Sequence, residues 1–189
     1  EGMLMGLGIA CFLDKSGTGS SHNLANKGGL HGGYESASVR MHSDGKVTVF
    51  SGSHSHGQGH ETAFCQIAAD VLGLPFDDID LVQGDTDRVP FGNGTWGSRS
   101  ASVGGPAIVI AAKKVRDKAK KLAAHVLECA EEDIDFDKGA FSVHGTDRII
   151  TFAELAEISY HASNLPPDGS VSPGLDETVF YEPKDTNDP

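Results

Sequence analysis

The chain has 189 residues, enough for one sizeable core, and its 38% hydrophobic and 22% charged residues are those of a globular protein. Fifteen basic against 27 acidic residues give a net charge of −12 with no basic stripe, which argues against nucleic acid or an anionic membrane surface as partner. No apolar run reaches the roughly 18 residues that a membrane span needs.

Taken in order, Leu7 to Leu13 is a short apolar run suited to a buried strand. Asp14 to Gly33, rich in Gly, Ser, Asn and His, reads as a loop. Ser36 to His42 and Lys46 to Ser51 alternate apolar and polar residues around Ser43-Asp44-Gly45, which predicts a hairpin with an Asp-Gly turn. From Glu61 to Leu72 the apolar Phe64, Ile67, Ala68, Val71 and Leu72 recur at spacings of three and four. That is one buried face of a helix, stopped by Gly73 with Pro75 beyond it. Ile79 to Val82 reads as a strand, and the polar loop Gln83 to Gly97 follows it.

Ser98 to Glu128 is mostly a long helix. Val115, Ala119, Leu122, Ala123 and Val126 mark its buried face, so the run Lys113, Lys114, Arg116, Lys118, Lys120 and Lys121 is a solvated one. Ile134 to Phe136 and Phe141 to Val143 form a second hairpin, extended by Arg148 to Ile150. Thr151 and Glu154 then make a capping box for a helix from Phe152 to His161. Glu177 to Tyr181 is strand-like. Hairpins alternating with helices predict an α+β fold, with mixed or antiparallel hairpins packed on two or three helices, one of them long. The whole of 1–189 reads as a single module, with 129–165 set apart as a sub-lobe.

The three cysteines Cys11, Cys65 and Cys129 are odd in number and far apart. This argues against a disulfide framework and for a reducing, cytoplasmic compartment, with Cys65 a small core residue. Glu1 to Ala10 lacks the charged start of a signal peptide. Neither end has the pattern of a natural start or finish, and the chain reads as a piece of something larger.

Two glycine-rich stretches stand at helix starts. Gly57-Gln58-Gly59-His60-Glu61-Thr62 opens the first long helix and Gly94-Thr95-Trp96-Gly97-Ser98-Arg99-Ser100 the second. Helix N-termini gather free N–H groups and a positive dipole end, while glycines allow close backbone approach. With Gln58, His60, Thr95, Ser98, Arg99 and Ser100 as donors the pair suits a pyrophosphate and a flat polar heterocycle. Neither stretch has the order of a dinucleotide fingerprint or a P-loop. His54, His56 and His60 could group as a zinc or nickel site with Glu61 or Asp85 recruited, although strand-end exposure explains the first two without a metal. Gln83-Gly84-Asp85-Thr86-Asp87 could hold a magnesium ion, and turn capping is the simpler reading.

These stretches occur in an order that resembles the molybdenum-cofactor-binding subunit of the xanthine oxidase (molybdenum hydroxylase) family. The order is Gly57 to Thr62, Gln66-Ile67-Ala68, Leu72-Gly73, Gly84 to Asp87, then Gly92-x-Gly94-Thr95-x-Gly97-Ser98-Arg99-Ser100 and Gly105. The likeness runs from about Gly6 to Pro183. Within the family the chain is most similar to aerobic carbon monoxide dehydrogenase large chains, through Leu122 to Glu128, Asp133 to Phe136, Pro173-Gly174-Leu175, Tyr181 and Pro183.

The resemblance implies a molybdenum–pyranopterin cofactor, in its cytosine dinucleotide form. It assigns Gln58, Gly59 and His60, with Thr95, Gly97, Ser98, Arg99 and Ser100, to cofactor binding. It implies no protein ligand to molybdenum here, and the family's catalytic glutamate lies downstream of this chain, so no catalytic residue is assigned. None of the three cysteines stands in the Ala-Tyr-Arg-Cys type of loop that carries copper in the carbon monoxide enzymes, so copper belongs only to a full-length parent. The implied partners are the rest of the large subunit, iron–sulfur and flavin subunits or domains, and a small substrate: carbon monoxide, with aldehydes or N-heterocycles as alternatives. The isolated segment is expected to be inactive. The rival is a stand-alone binding or assembly module, or a histidine-loop metal binder.

Overall fold

The computed structural model describes residues 2–12, 16–17, 19–30 and 32–184, with Ala162 described by its backbone alone. Helix α1 (Ser21–Asn26) lies in the stretch read as loop, and starts where the Ser20 hydroxyl accepts the Asn23 N–H at 3.1 Å. Strands β1 (Glu35–Met41) and β2 (Val47–Ser51) make the first hairpin, with Ala37 opposite Ser51 and Met41 opposite Val47. Gly45, at φ 84°, donates to His42, closing the Asp-Gly turn as expected.

Helix α2 (His60–Leu72) buries Phe64, Cys65, Ala68 and Leu72 and ends on Gly73 in the left-handed region, whose N–H returns to Ala69. Burial pushes the Cys65 thiol up, with Asp80 and Glu61 adding to it, as befits a core residue. Strand β3 (Ile79–Gln83) runs parallel to β2, and β7 (Leu175–Tyr181) antiparallel to β1. The larger sheet is therefore mixed, in the order β3-β2-β1-β7.

Helix α3 (Gly105–Val126) packs on β1, β7 and α2. Its entrance, Ser100–Gly104, is a π-helical turn in which Gly105 N–H donates to the Ser100 carbonyl. The expected continuous helix from Ser98 is thus wider over its first turn, an irregularity common at functional sites. Strands β4 (Ile134–Asp137), β5 (Ala140–Val143) and β6 (Ile149–Thr151) form a second, antiparallel sheet, and α4 (Phe152–Ser159) follows directly. Phe136, Phe141 and Phe152 pack edge-to-face or tilted at 4.8–5.7 Å between centroids, and their cluster is continuous with the core beneath the first sheet. The architecture is α+β, as the patterning predicts.

The expected strand at Leu7 to Leu13 is not observed. Residues 7–12 have no regular structure and Leu7 and Ile9 are 93% and 86% exposed; Leu13 lies outside the described residues. An apolar run becomes a buried strand only where a sheet edge receives it, and β3 and β7 edge the larger sheet here.

The capping box of α4 is present. Thr151 Oγ1 accepts the Glu154 N–H at 3.3 Å while Glu154 Oε2 accepts the Thr151 N–H at 2.8 Å and its hydroxyl at 2.7 Å. These bonds hold the Glu154 carboxyl below its ordinary range, the backbone bond contributing most. A depressed acid stabilises the fold above its unfolded pKa and loses that contribution as pH falls through its folded value. Thr151→Ala is therefore expected to cost about 1 kcal/mol in urea denaturation at neutral pH, with the gap to wild type narrowing in acid.

Candidate functional site

The second glycine-rich turn is bonded to the segment that leads into the first. Strand β2 delivers the chain to His54, and the loop through Gly57 to Gly59 turns it into α2. Gly57 and Gly59 have φ of 98° and 78°, and a Cβ added to either would meet nothing within 4 Å, so both backbones face open space. No side chain caps α2; the Thr62 and Ala63 N–H groups return to the Gly59 carbonyl, which leaves those of His60 and Glu61 for an outside acceptor. The second turn is tied to the approach to this one: Thr95 Oγ1 donates to the His54 carbonyl at 2.5 Å, and Ser100 Oγ donates to Thr95 Oγ1 at 3.0 Å. Behind them the π-turn packs closely, since a Cβ on Gly104 would stand 3.1 Å from Ser53 Oγ and 3.4 Å from Phe64 Cζ. Two helix entrances are thereby held side by side.

Each expected site residue has a definite place. Gln58 accepts the His56 N–H through its side chain. His60 is 6% exposed, stacks on Phe64 at 4.7 Å, and its Nδ1 is buried with no hydrogen-bond partner. Burial lowers the His60 pKa against the smaller opposing pull of Glu61, with His54 and His56 lowering it further. A proton titration followed by NMR is expected to find His60 with a midpoint below the ordinary ~6.5. Because its folded pKa is depressed, His60 costs stability as pH falls through that ordinary value toward its own. Gly97 has φ 57° and its carbonyl accepts the Gly17 N–H at 3.0 Å. Ser98 adopts φ 55°, a left-handed conformation costly for any residue with a Cβ.

Arg99 differs from its expected place. Its side chain is 0% exposed and points inward, where Nη1 donates to Glu35 Oε2 at 2.7 Å and to the Gly94 carbonyl at 2.9 Å. Its Nη2 donates to the carbonyls of Gly33 at 3.0 Å and Tyr34. Four of the five guanidinium N–H groups are thus spent within the protein, and the fifth, on Nε, is buried. A direct charge-assisted bond from Arg99 to a phosphate has no donor left on the fork, whose bond to Gly94 braces the second turn from within.

Sequence reasoning missed the other half of this pair. Glu35, also 0% exposed, accepts from Arg99 and Ser53 Oγ (3.1 Å) on Oε2 and from the N–H groups of Ser36 (3.0 Å) and Asn93 (3.3 Å) on Oε1. The signal was its phase. Glu35 alternates with Ala37, Val39 and Met41 on the core face of β1, where a charge requires a partner. Gln83, read above only as the first residue of the acidic stretch, has a different part: its side chain accepts the Ser55 N–H at 3.0 Å and donates to Glu61 at 2.5 Å, bracing the first turn against α2.

Asp85 accepts the Asp87 N–H at 3.0 Å, which is turn capping. The rings of His54 and His56 lie 4.4 Å apart, and among the described residues no group of three or more His, Cys, Asp or Glu side chains is arranged to hold a metal ion. Among the described residues, too, no helix is long and apolar enough to cross a membrane.

A mixed sheet here presents two glycine-lined helix entrances, the second bonded through the Ser100 and Thr95 hydroxyls to the segment that leads into the first. Residues 1–189 match the family model of the molybdopterin cofactor-binding domain, and the chain belongs to that family. It is 42% identical over 181 residues to the carbon monoxide dehydrogenase large chain of Afipia carboxidovorans, covering 95% of this chain and 22% of that one. It is 39% identical over 182 residues to the nicotine 6-hydroxylase large subunit of Paenarthrobacter nicotinovorans, covering 96% and 22%. The fold superposes on the crystal structure of a Cu,Mo-CO dehydrogenase in its carbon monoxide reduced state with a TM-score of 0.81 at 41% identity, covering 90% of this chain and 21% of that one. The chain thus spans about a fifth of the length of the relatives it matches.

Proposed function

We propose that this chain clasps the pyrophosphate of a molybdenum–pyranopterin cofactor in its cytosine dinucleotide form, within an oxidoreductase of the carbon monoxide dehydrogenase-like molybdenum hydroxylases. The observation that carries this reading is the Thr95–His54 bond, which joins the second helix entrance to the approach to the first. The residues fit the group: Gly57 and Gly59 leave an open cradle, and His60 Nδ1 is a buried nitrogen without a partner. Gln58, Gly59 and His60 hold one side and Thr95, Gly97, Ser98 and Ser100 the other, with Arg99 setting the shape of the second turn. Neutral hydroxyl and amide donors suit an anion whose charge is met by two helix dipoles.

The bound molybdenum centre supplies the oxidation, while these residues orient the cofactor and keep its phosphates out of bulk water. The parent protein oxidises a small substrate, carbon monoxide or an N-heterocycle as the relatives' names indicate, with water as oxygen source. It passes electrons to iron–sulfur and flavin partners in the cytoplasm. "Large chain" and "large subunit" in those names support a multi-subunit assembly. The isolated 189-residue segment turns over no substrate.

Gly59→Ala tests the clasp. The added methyl meets no protein atom, so the fold pays only for a left-handed alanine, about 1–2 kcal/mol. The methyl nevertheless occupies the cradle. Molybdenum and nucleotide content per chain are expected to fall at least about tenfold, the equivalent of ~1.4 kcal/mol in affinity. Unchanged content in a folded Gly59→Ala protein would overturn the proposal.

A further inference from the structure

We infer that Glu35 and Arg99 act as a positioning pair that couples the two halves of the clasp, so that cofactor retention depends on a carboxylate and a guanidinium that never touch the cofactor. The inference rests on the cofactor reading above and extends it to residues outside the glycine-rich turns.

The Glu35 carboxylate bonds to residues that lead into both turns. One of its oxygens holds Ser53 Oγ, on the approach to the first turn, together with Arg99 from the second. The other holds the Asn93 N–H, at the start of the second turn, and the Ser36 N–H of β1. Arg99 in turn spans the Gly33 and Tyr34 carbonyls ahead of β1 and the Gly94 carbonyl. Tyr34 is fixed a second time, its carbonyl accepting Asn93 Nδ2 at 2.8 Å. The planar fork matters as much as the charge, because three carbonyls and one carboxylate at fixed angles suit a guanidinium and not an ammonium. The pair is remote from solvent and unscreened, so any shift on one side is passed to the other.

Two variants test the coupling in the cofactor-loaded protein that carries this chain. Arg99→Lys keeps a cation opposite Glu35 but gives up the fork, and Ser53→Ala removes a single bond to the carboxylate. Cofactor release is expected to quicken about tenfold in Arg99→Lys and about threefold in Ser53→Ala. Leu155→Ala, in the core outside both turns, serves as the control: it lowers the melting temperature at least as far yet releases cofactor at the wild-type rate. Amide hydrogen exchange gives a readout that needs no cofactor. In Arg99→Lys, exchange should quicken across residues 53–60 as well as 94–100, although Arg99 bonds to nothing in the first range. Faster exchange confined to 94–100, or wild-type release in both variants, overturns the coupling, as does equal release from Leu155→Ala. A wild-type protein that carries no pyranopterin would sink the cofactor reading instead, and the exchange comparison would still decide this one.

Discussion

Gly52→Ala is expected to unfold or loosen the protein by about 3 kcal/mol or more, the upper end of what overpacking costs. A Cβ at Gly52 would stand inside the Glu35 carboxylate, 2.5 Å from the Phe91 carbonyl oxygen and 2.6 Å from Gly92 Cα. None of these can step aside. Glu35 is held by four hydrogen bonds and the other two atoms are backbone. Phe91 is further fixed where its carbonyl accepts the Ser36 hydroxyl and its ring stacks on Tyr34 at 5.5 Å. Gly92 meets the mirror-image constraint, because its own Cβ would collide with the Gly52 carbonyl. The two glycines let backbone pass backbone at the point where β2 leaves the sheet. Urea denaturation of either alanine variant should show a lower midpoint, and the double variant should cost less than the sum of the singles, since both break one contact.

Glu35→Ala should cost about 3–5 kcal/mol, the range for removing one partner of a buried ion pair. Arg99 would be left as a fully buried cation facing only carbonyl oxygens, and Ser53, Ser36 and Asn93 would each lose an acceptor. Glu35→Gln should cost less, because the amide keeps an oxygen acceptor for part of this set. A variant without both charges should recover part of the loss, since the unpaired charge is the larger penalty. Equal stability of Glu35→Ala and wild type in denaturant would mean that the pair is not buried as described.

Much of this was legible in residues whose chemistry is local. Gly73 and Gly45 mark a helix stop and a hairpin because only a glycine takes a left-handed turn cheaply, and Thr151 with Glu154 marks a helix start because the two bonds are reciprocal. The two glycine-rich turns were legible as helix entrances for the same reason. Their junction was not, because the Thr95 bond to His54 spans 41 positions and depends on how β2 and the π-turn are packed.

Arg99 reads from sequence as a donor to the anion because nothing near it in the chain opposes its charge. The opposing carboxylate is 64 residues away, visible only through the phase of β1. The π-turn itself leaves no trace in composition, since Ser100-Ala-Ser-Val-Gly104 would satisfy an α-helix equally well. Leu7 to Phe12 shows the converse. Apolarity says that a segment gains by burial and leaves open what would bury it.

The central claim is that the two turns grip one ligand. The measurement that tests it most directly is the rate of cofactor release from the loaded protein in four forms: wild type, Gly59→Ala, Ser100→Ala and the double variant. If both turns hold one pyrophosphate, the effects are coupled, and the cycle should close with an interaction of about 1 kcal/mol or more. Strictly additive effects, or a Ser100→Ala protein that releases cofactor at the wild-type rate, would contradict a shared clasp.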